Sequence, residues 1–185
     1  MSTPVQQTSP YQSPWSFRTR IILAAWHFCW TIFCRWTPKP FNCWRLFILK
    51  LFGSSIEGTP FVHQRAKIQI PWNLILKHRS CLGDGANAYS LGKILLGKGC
   101  TVAQEVYLCS GTHDFSDPNL PLVVGNITIE QNAFIGVRAI LLPNVTIGKS
   151  AVVGAGSVVT KDIDAGTVVA GNPARYINKG KKKDA

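Results

Sequence analysis

The first 52 residues hold no Asp or Glu, although Arg18, Arg20, Arg35, Lys39, Arg45 and Lys50 are among them. A segment of one sign meets anions, so acidic partners or surfaces are admitted and basic ones are not. The same segment lacks an apolar run of bilayer length. Its longest, Ile21 to Cys34, has fourteen residues, against roughly 20 for a spanning helix. No small-x-small cleavage site follows that run, so it does not read as a secretory leader. The six cysteines, Cys29, Cys34, Cys43, Cys81, Cys100 and Cys109, form no C-x-x-C pair and no zinc-type spacing. They are expected to be reduced and mostly buried, as in a cytosolic protein. The middle of the chain lacks basic residues interleaved with aromatics. Nucleic acid is therefore not the expected partner, despite a net charge of +11 over 185 residues. Finally, no histidine follows His113.

What is present divides the chain. Residues 1–16, rich in Pro, Gln, Ser and Thr, read as a flexible tail. Residues 17–55 read as an apolar helical segment. Pro38 and Pro40 split it in two, and Gly53 is placed to end the second helix. Residues 56–178 form the main domain, and 179–185 a basic tail with Lys181, Lys182 and Lys183. Two readings of 17–52 stand side by side. It is a helical hairpin packed on the main domain or on a neighbouring subunit. Or it is an interfacial anchor, because Trp15, Trp26, Trp30, Trp36 and Trp44 lie among its cations. The expected place is the cytoplasm, with peripheral contact at the inner face of the membrane if the anchor reading holds.

The main domain has a six-residue beat. Ile129, Ile135, Leu141, Ile147, Val153 and Val159 are each six apart, and four residues after them come Ala133, Ala139, Val145, Ala151, Ser157 and Ile163. With a quarter of the chain Ile, Leu or Val, six such hits arise by chance about once in several thousand trials per register. Neither a helix nor a single strand repeats at six; a parallel β-helix does, with the aliphatic residue pointing inward and the small one at a tight corner. Leu96, Val102 and Leu108 share the register, and Ile70, Leu76 and Leu82 extend it upstream. Two extra residues near "SLGK" predict a bulge. From Leu108 to Ile129 the beat is lost for twenty-one residues, so 114–126 is expected to protrude as a loop. Insertions in solenoids sit on binding faces.

"IGVRAILLPNVTIGKSAVVGAGSVVTKDI", "VVAGNPARYI" and, upstream, "VYLCSGTHD" resemble the hexapeptide-repeat acyltransferases, and among them the colanic-acid-biosynthesis acetyltransferase group. The resemblance runs over 68–178 and more thinly over 18–67. It implies an all-β, left-handed parallel β-helix, a homotrimer, and acetyl-CoA bound between adjacent subunits. It places the catalytic histidine at His113. Coenzyme contacts in similar enzymes fall on Ala155, Ser157, Thr160, Lys161 and Arg175. Val137 stands where some relatives have Ser. Acceptor-binding positions do not carry over, and Asn87 is the one candidate for that role.

The chemistry can be stated from the residues. A sugar hydroxyl holds its proton at neutral pH, and a base within hydrogen-bond reach removes it as the oxygen attacks a thioester. Histidine titrates in the right range. Asp114 or a backbone carbonyl could hold the second ring nitrogen of His113. The expected function is therefore O-acetyl transfer from acetyl-CoA to a saccharide, free, nucleotide-linked or lipid-linked, in exopolysaccharide or capsule assembly. Other readings stay open: an amine acceptor, a Cys109–His113 pair forming an acetyl-enzyme, or an inactive scaffold docking on a membrane or partner. A γ-carbonic-anhydrase type of site would need three histidines on one metal, and no metal is expected here. His27 is expected to pack within its apolar helix, and His63 and His78 to lie at the surface without partners.

Overall fold

The structure is a computed structural model and describes residues 15–179; residues 1–14 of the expected tail and 180–185 of the basic end lie outside these. From Ser55 onward the chain winds into a three-sided parallel coil. The first side stacks strands Ser55–Ile56, Leu74–Leu76, Ile94–Leu96, Ile127–Ile129 and Val145–Ile147. The second stacks Phe61–Val62, Cys81–Leu82, Thr101–Val102, Phe134–Ile135, Val152–Val153 and Thr167–Ala170, closed by antiparallel Arg175–Lys179. The third stacks Lys67–Ile68, Asn87–Tyr89, Tyr107–Cys109, Ile140–Leu141 and Val158–Val159.

The six-residue beat explains this shape. Ile129, Ile135, Leu141, Ile147, Val153 and Val159 are all fully buried, one on each side of successive coils. Between sides the chain turns through residues with φ near +60°, such as Asn132 at 59° and Asn144 at 62°, a conformation that Asn tolerates better than most. At Gly136 the coils approach so closely that a Cβ would lie 2.6 Å from the Ala155 nitrogen. Side chains at one edge continue the ladder between coils: Asn126 Oδ1 accepts from the Lys93 amide at 2.9 Å, and Asp162 Oδ1 from the Thr146 amide at 2.7 Å.

Coil length changes along the axis. Leu74 pairs with Ile94, twenty residues on, and Ile127 pairs with Val145, eighteen on. The two extra residues expected near Ser90 are there, and a second pair lies at Pro71–Asn73, where Asn73 donates to the Ser90 and Leu91 carbonyls at 2.9 and 2.8 Å. Between Ile94 and Ile127 the offset is thirty-three, because a hairpin leaves the coil there.

Two helices close the start of the coil. Helix α1 spans Phe17–Cys29 and continues as a π-helical turn, Trp30–Cys34; α2 spans Asn42–Leu51. Ser16 caps α1 by accepting from the Thr19 amide at 3.2 Å. Inward residues Trp26, Trp30, Cys34, Leu46 and Leu49 join the core of the coil. The first strands have no preceding coil to pair with, and helix side chains supply the missing partners. Trp26 Nε1 donates to the Ile68 carbonyl at 2.8 Å and Trp30 Nε1 to that of Ala66 at 3.1 Å. Asn42 Oδ1 accepts from the Val62 amide at 3.0 Å, and Arg45 Nε donates to the Val62 carbonyl at 2.8 Å. Arg45 is fully buried without a carboxylate. Its other nitrogens reach Thr37 Oγ1 and the Pro38 and Lys39 carbonyls at 2.9 to 3.1 Å, so each guanidinium nitrogen meets an oxygen.

Three histidines and the cysteines depart from expectation. His27 is exposed, because α1 turns only one stripe inward. His63 is buried, with Nδ1 3.1 Å from Asp84 Oδ1, and Arg65 pairs with the same carboxylate. His78 is half-buried, and its Nδ1 accepts from the Thr59 amide at 3.4 Å. Only Cys34 and Cys100 are buried; Cys29, Cys81 and Cys109 are half-buried, Cys43 is exposed, and all six are free.

Candidate active site

His113 ends a short strand, Gly111–His113, that leaves the coil and pairs antiparallel with Leu122–Val124. His113 faces Leu122 across this hairpin. The loop between them is tied internally. Asp114 Oδ1 accepts from the Ser116 amide and hydroxyl at 2.9 and 2.5 Å. Asp117 Oδ1 accepts from the Asn119 amide at 2.8 Å, and the Asp117 carbonyl from the Leu120 amide at 2.9 Å. Pro118 at the second position suits this turn. It leaves Leu120 at φ +46°, with its carbonyl oxygen 2.7 Å from His113 Nδ1.

That contact fixes the ring's tautomer. A carbonyl oxygen only accepts, so Nδ1 bears a hydrogen, and in the neutral ring Nε2 is the nitrogen with the lone pair. Of the two groups expected to hold the ring, the Leu120 carbonyl takes the place; Asp114 is occupied with Ser116, which also holds its carboxyl below the usual range. His113 itself is exposed.

Beside the hairpin, the outer face of the third side carries Asn87, Tyr89, Tyr107 and Cys109, with the two tyrosine rings stacked 6.1 Å apart. Asn87 pairs in register with Tyr107, one coil on. Cys109 Sγ donates to the Gly111 carbonyl at 3.1 Å, and burial pushes its thiol above the ordinary range. Neither feature favours a thiolate nucleophile.

The hairpin leaves the coil at the edge between the third and first sides. Thr160 and Lys161 lie on this edge too, two coils further along, since Tyr107 pairs with Ile140 and Ile140 with Val158. At the usual strand spacing that is about 10 Å along the axis. Thr160, Lys161 and Arg175 line a shallow depression of about 230 Å³ together with Asp162, Asp164 and Tyr176. Arg175 Nη1 donates to the Ala174 carbonyl at 3.0 Å. Ala155 is exposed outside the depression. Ser157 is fully buried, donating to the Gly154 carbonyl at 2.7 Å and accepting from the Gly171 amide at 3.2 Å. Its side chain is a corner brace and does not face the depression. Val137 is exposed. Reasoning from the sequence missed Leu120 and Asp117, whose contribution is a turn and a carbonyl, and the acids of the depression. Among the described residues no group of three His, Cys, Asp or Glu lies close enough to hold a metal.

Residues 126–161 match the bacterial transferase hexapeptide family (six repeats). Over 177 residues the chain is 33% identical to a protein of Escherichia coli (strain K12), covering 95% of this chain and 97% of that one. That relative bears the name "Putative colanic acid biosynthesis acetyltransferase WcaF". The chain belongs to the hexapeptide-repeat acetyltransferases. Members of this family are acetyl-CoA-dependent acyltransferases. A maltose O-acetyltransferase from Clostridium difficile 630 superposes with a TM-score of 0.77 at 27% identity, over 90% of both chains. The hexapeptide-repeat acetyltransferase VCA0836 of Vibrio cholerae, solved with acetyl-CoA, superposes at 0.83 over 93% and 94% of the two chains. At 16% identity that likeness speaks for the fold alone. The coil is thus the left-handed β-helix of this family, preceded by a helical segment.

Proposed function

We propose that this acetyltransferase moves the acetyl group of acetyl-CoA to a hydroxyl of a saccharide, in the assembly of an exopolysaccharide or capsule. The likeness to WcaF supports the substrate class. The observation that supports the chemistry is His113, fixed with Nδ1–H on the Leu120 carbonyl and Nε2 free. Nε2 takes the proton of the acceptor hydroxyl as the acceptor oxygen bonds to the acetyl carbonyl carbon. The carbon–sulfur bond then breaks, and the proton passes to the departing thiolate of coenzyme A. Transfer is direct, and Cys109 stays a thiol. Thr160, Lys161 and Arg175 bind the coenzyme's polar end, and its extended arm spans the edge to His113. Cations there suit phosphate oxygens, while Asp162 and Asp164 restrict where those phosphates lie. Asn87 and the tyrosines beside it face the acceptor.

One prism offers only a shallow depression, so a second copy is needed to wall the site, and we assign a homotrimer. Acetyl-CoA is a cytoplasmic metabolite, and the reaction is placed there. The test is release of coenzyme thiol from acetyl-CoA against a panel of free sugars, nucleotide sugars and lipid-linked glycans, with the product mass determined. His113→Ala is expected to lower turnover by ~10²–10⁴ with the fold and oligomer retained. Retention of more than about a tenth of the wild-type rate would remove the base assignment. Light scattering checks the oligomer: an active monomer sinks the trimer.

A further inference from the structure

A helix on a protein surface normally turns a polar face outward. The two N-terminal helices do not. Opposite the buried Leu23, Trp26 and Trp30, α1 presents Phe17, Ile21 and Phe28, and Ile32 follows four residues on. Phe17 and Phe28 are 76% and 65% exposed. On α2 the outward stripe is Trp44, Phe47 and Leu51, the last 68% exposed, and Trp36 between the helices is 82% exposed. Eleven of the nineteen large hydrophobic side chains exposed among the described residues fall between Phe17 and Leu51. The end of the first stripe touches the second: Trp44 Nε1 donates to the Phe33 carbonyl at 2.9 Å, and Trp44 stacks on Phe47 at 5.8 Å.

Exposed cations accompany these stripes along the chain. Arg18, Arg20, Arg35, Lys39 and Lys50 are exposed, Arg45 alone is held inside, and the first acidic residue of the chain is Glu57. A two-fold contact of this face with the same face of a second copy would set these cations against their own kind. An anionic bilayer meets both halves of the pattern, lipid headgroups for the cations and the acyl boundary for the aromatic stripes. We infer that the outer face of the two N-terminal helices docks on an anionic lipid surface. It lies in the interface, for no described helix is long and apolar enough to cross a membrane. The inference stands apart from the assignment of His113 and survives its failure.

The test is flotation of the full-length protein with vesicles of phosphatidylcholine containing phosphatidylglycerol, and with phosphatidylcholine alone. Truncation is unsuitable, since it would strip the Val62 amide and carbonyl of Asn42 and Arg45. Two variants replace it, Arg18→Gln with Arg20→Gln and Arg35→Gln, and Phe28→Ser with Trp36→Ser. All five side chains are exposed, so the inward contacts persist; a melting curve and light scattering verify this. The wild type is expected to float with anionic vesicles only and to be released by high salt. Each cation removed should weaken binding about fivefold, so the triple variant loses roughly a hundredfold. The serine pair should lose binding even at low salt. A wild type that ignores anionic vesicles, or a triple variant that binds like the wild type, overturns the inference. So does a serine pair that changes the oligomer while flotation is unaltered, which assigns the face to a second copy.

Discussion

Asp117→Ala asks whether the loop after His113 exists to hold one carbonyl. The substitution removes the acceptor of the Asn119 amide at 2.8 Å and leaves the Asp117 main-chain bond to Leu120 in place. A side-chain bond of this kind contributes about 1 kcal/mol net. Loosening the turn by that amount lowers the ratio of molecules with the Leu120 carbonyl in position to those without by about fivefold. The ring of His113 then rotates or exchanges tautomers, and Nε2 is presented less often. Turnover at saturating acetyl-CoA should fall, by at most about fivefold, far less than the ~10²–10⁴ expected for His113→Ala. Coenzyme affinity should not change, because Thr160, Lys161 and Arg175 are two coils away. Asp117→Asn keeps an oxygen acceptor and should recover most of the rate. The assay is steady-state release of coenzyme thiol with the true acceptor. Wild-type turnover in Asp117→Ala, or an Asn variant as slow as the Ala variant, would refute the reasoning.

Arg175→Ala and Lys161→Ala should each weaken acetyl-CoA binding about tenfold by calorimetry, with acceptor affinity unaltered; unchanged binding in both would assign the two cations to the solvated edge. Arg45→Met leaves the buried Val62 carbonyl without a donor, at a cost of about 1–3 kcal/mol. The melting temperature followed by circular dichroism should drop by roughly 2–10 °C, and a rise would mean that burying the guanidinium costs more than its bonds return. Cys43 should react with a thiol reagent at pH 8 in the folded protein. Cys34 and Cys100, where burial pushes the thiols up to about 12, should stay protonated and react only on unfolding, as mass spectrometry would read.

The coil was legible because its period is unlike that of any other structure, and each inward residue of the beat is buried. The same phase carried information that resemblance to relatives obscured. Ser157 occupies a small corner position, like Ala133 and Ala151, and its side chain therefore points inside. Partners across coils were harder. Asp84 lies twenty residues beyond its neighbour near His63, one full coil away, and that pairing is invisible until the register is known. His27 was misplaced because α1 is apolar on both faces and offers no phase to read. The partner of His113 had no signature at all: it is a main-chain oxygen, aimed by Leu120 at φ +46°.

From the hairpin to Val159 the coil advances eighteen residues to each turn, and only the closing turn, from Val152 to Val168, is two residues shorter. The two halves of the proposed site are therefore set apart by a whole number of rungs, like marks on a ruler graduated in steps of about 4.8 Å. Point substitutions can change what each mark grips, but not the interval between them. Only the gain or loss of a complete rung moves one mark relative to the other, and it does so in a single jump. The span available to a donor molecule is in this sense counted, not tuned.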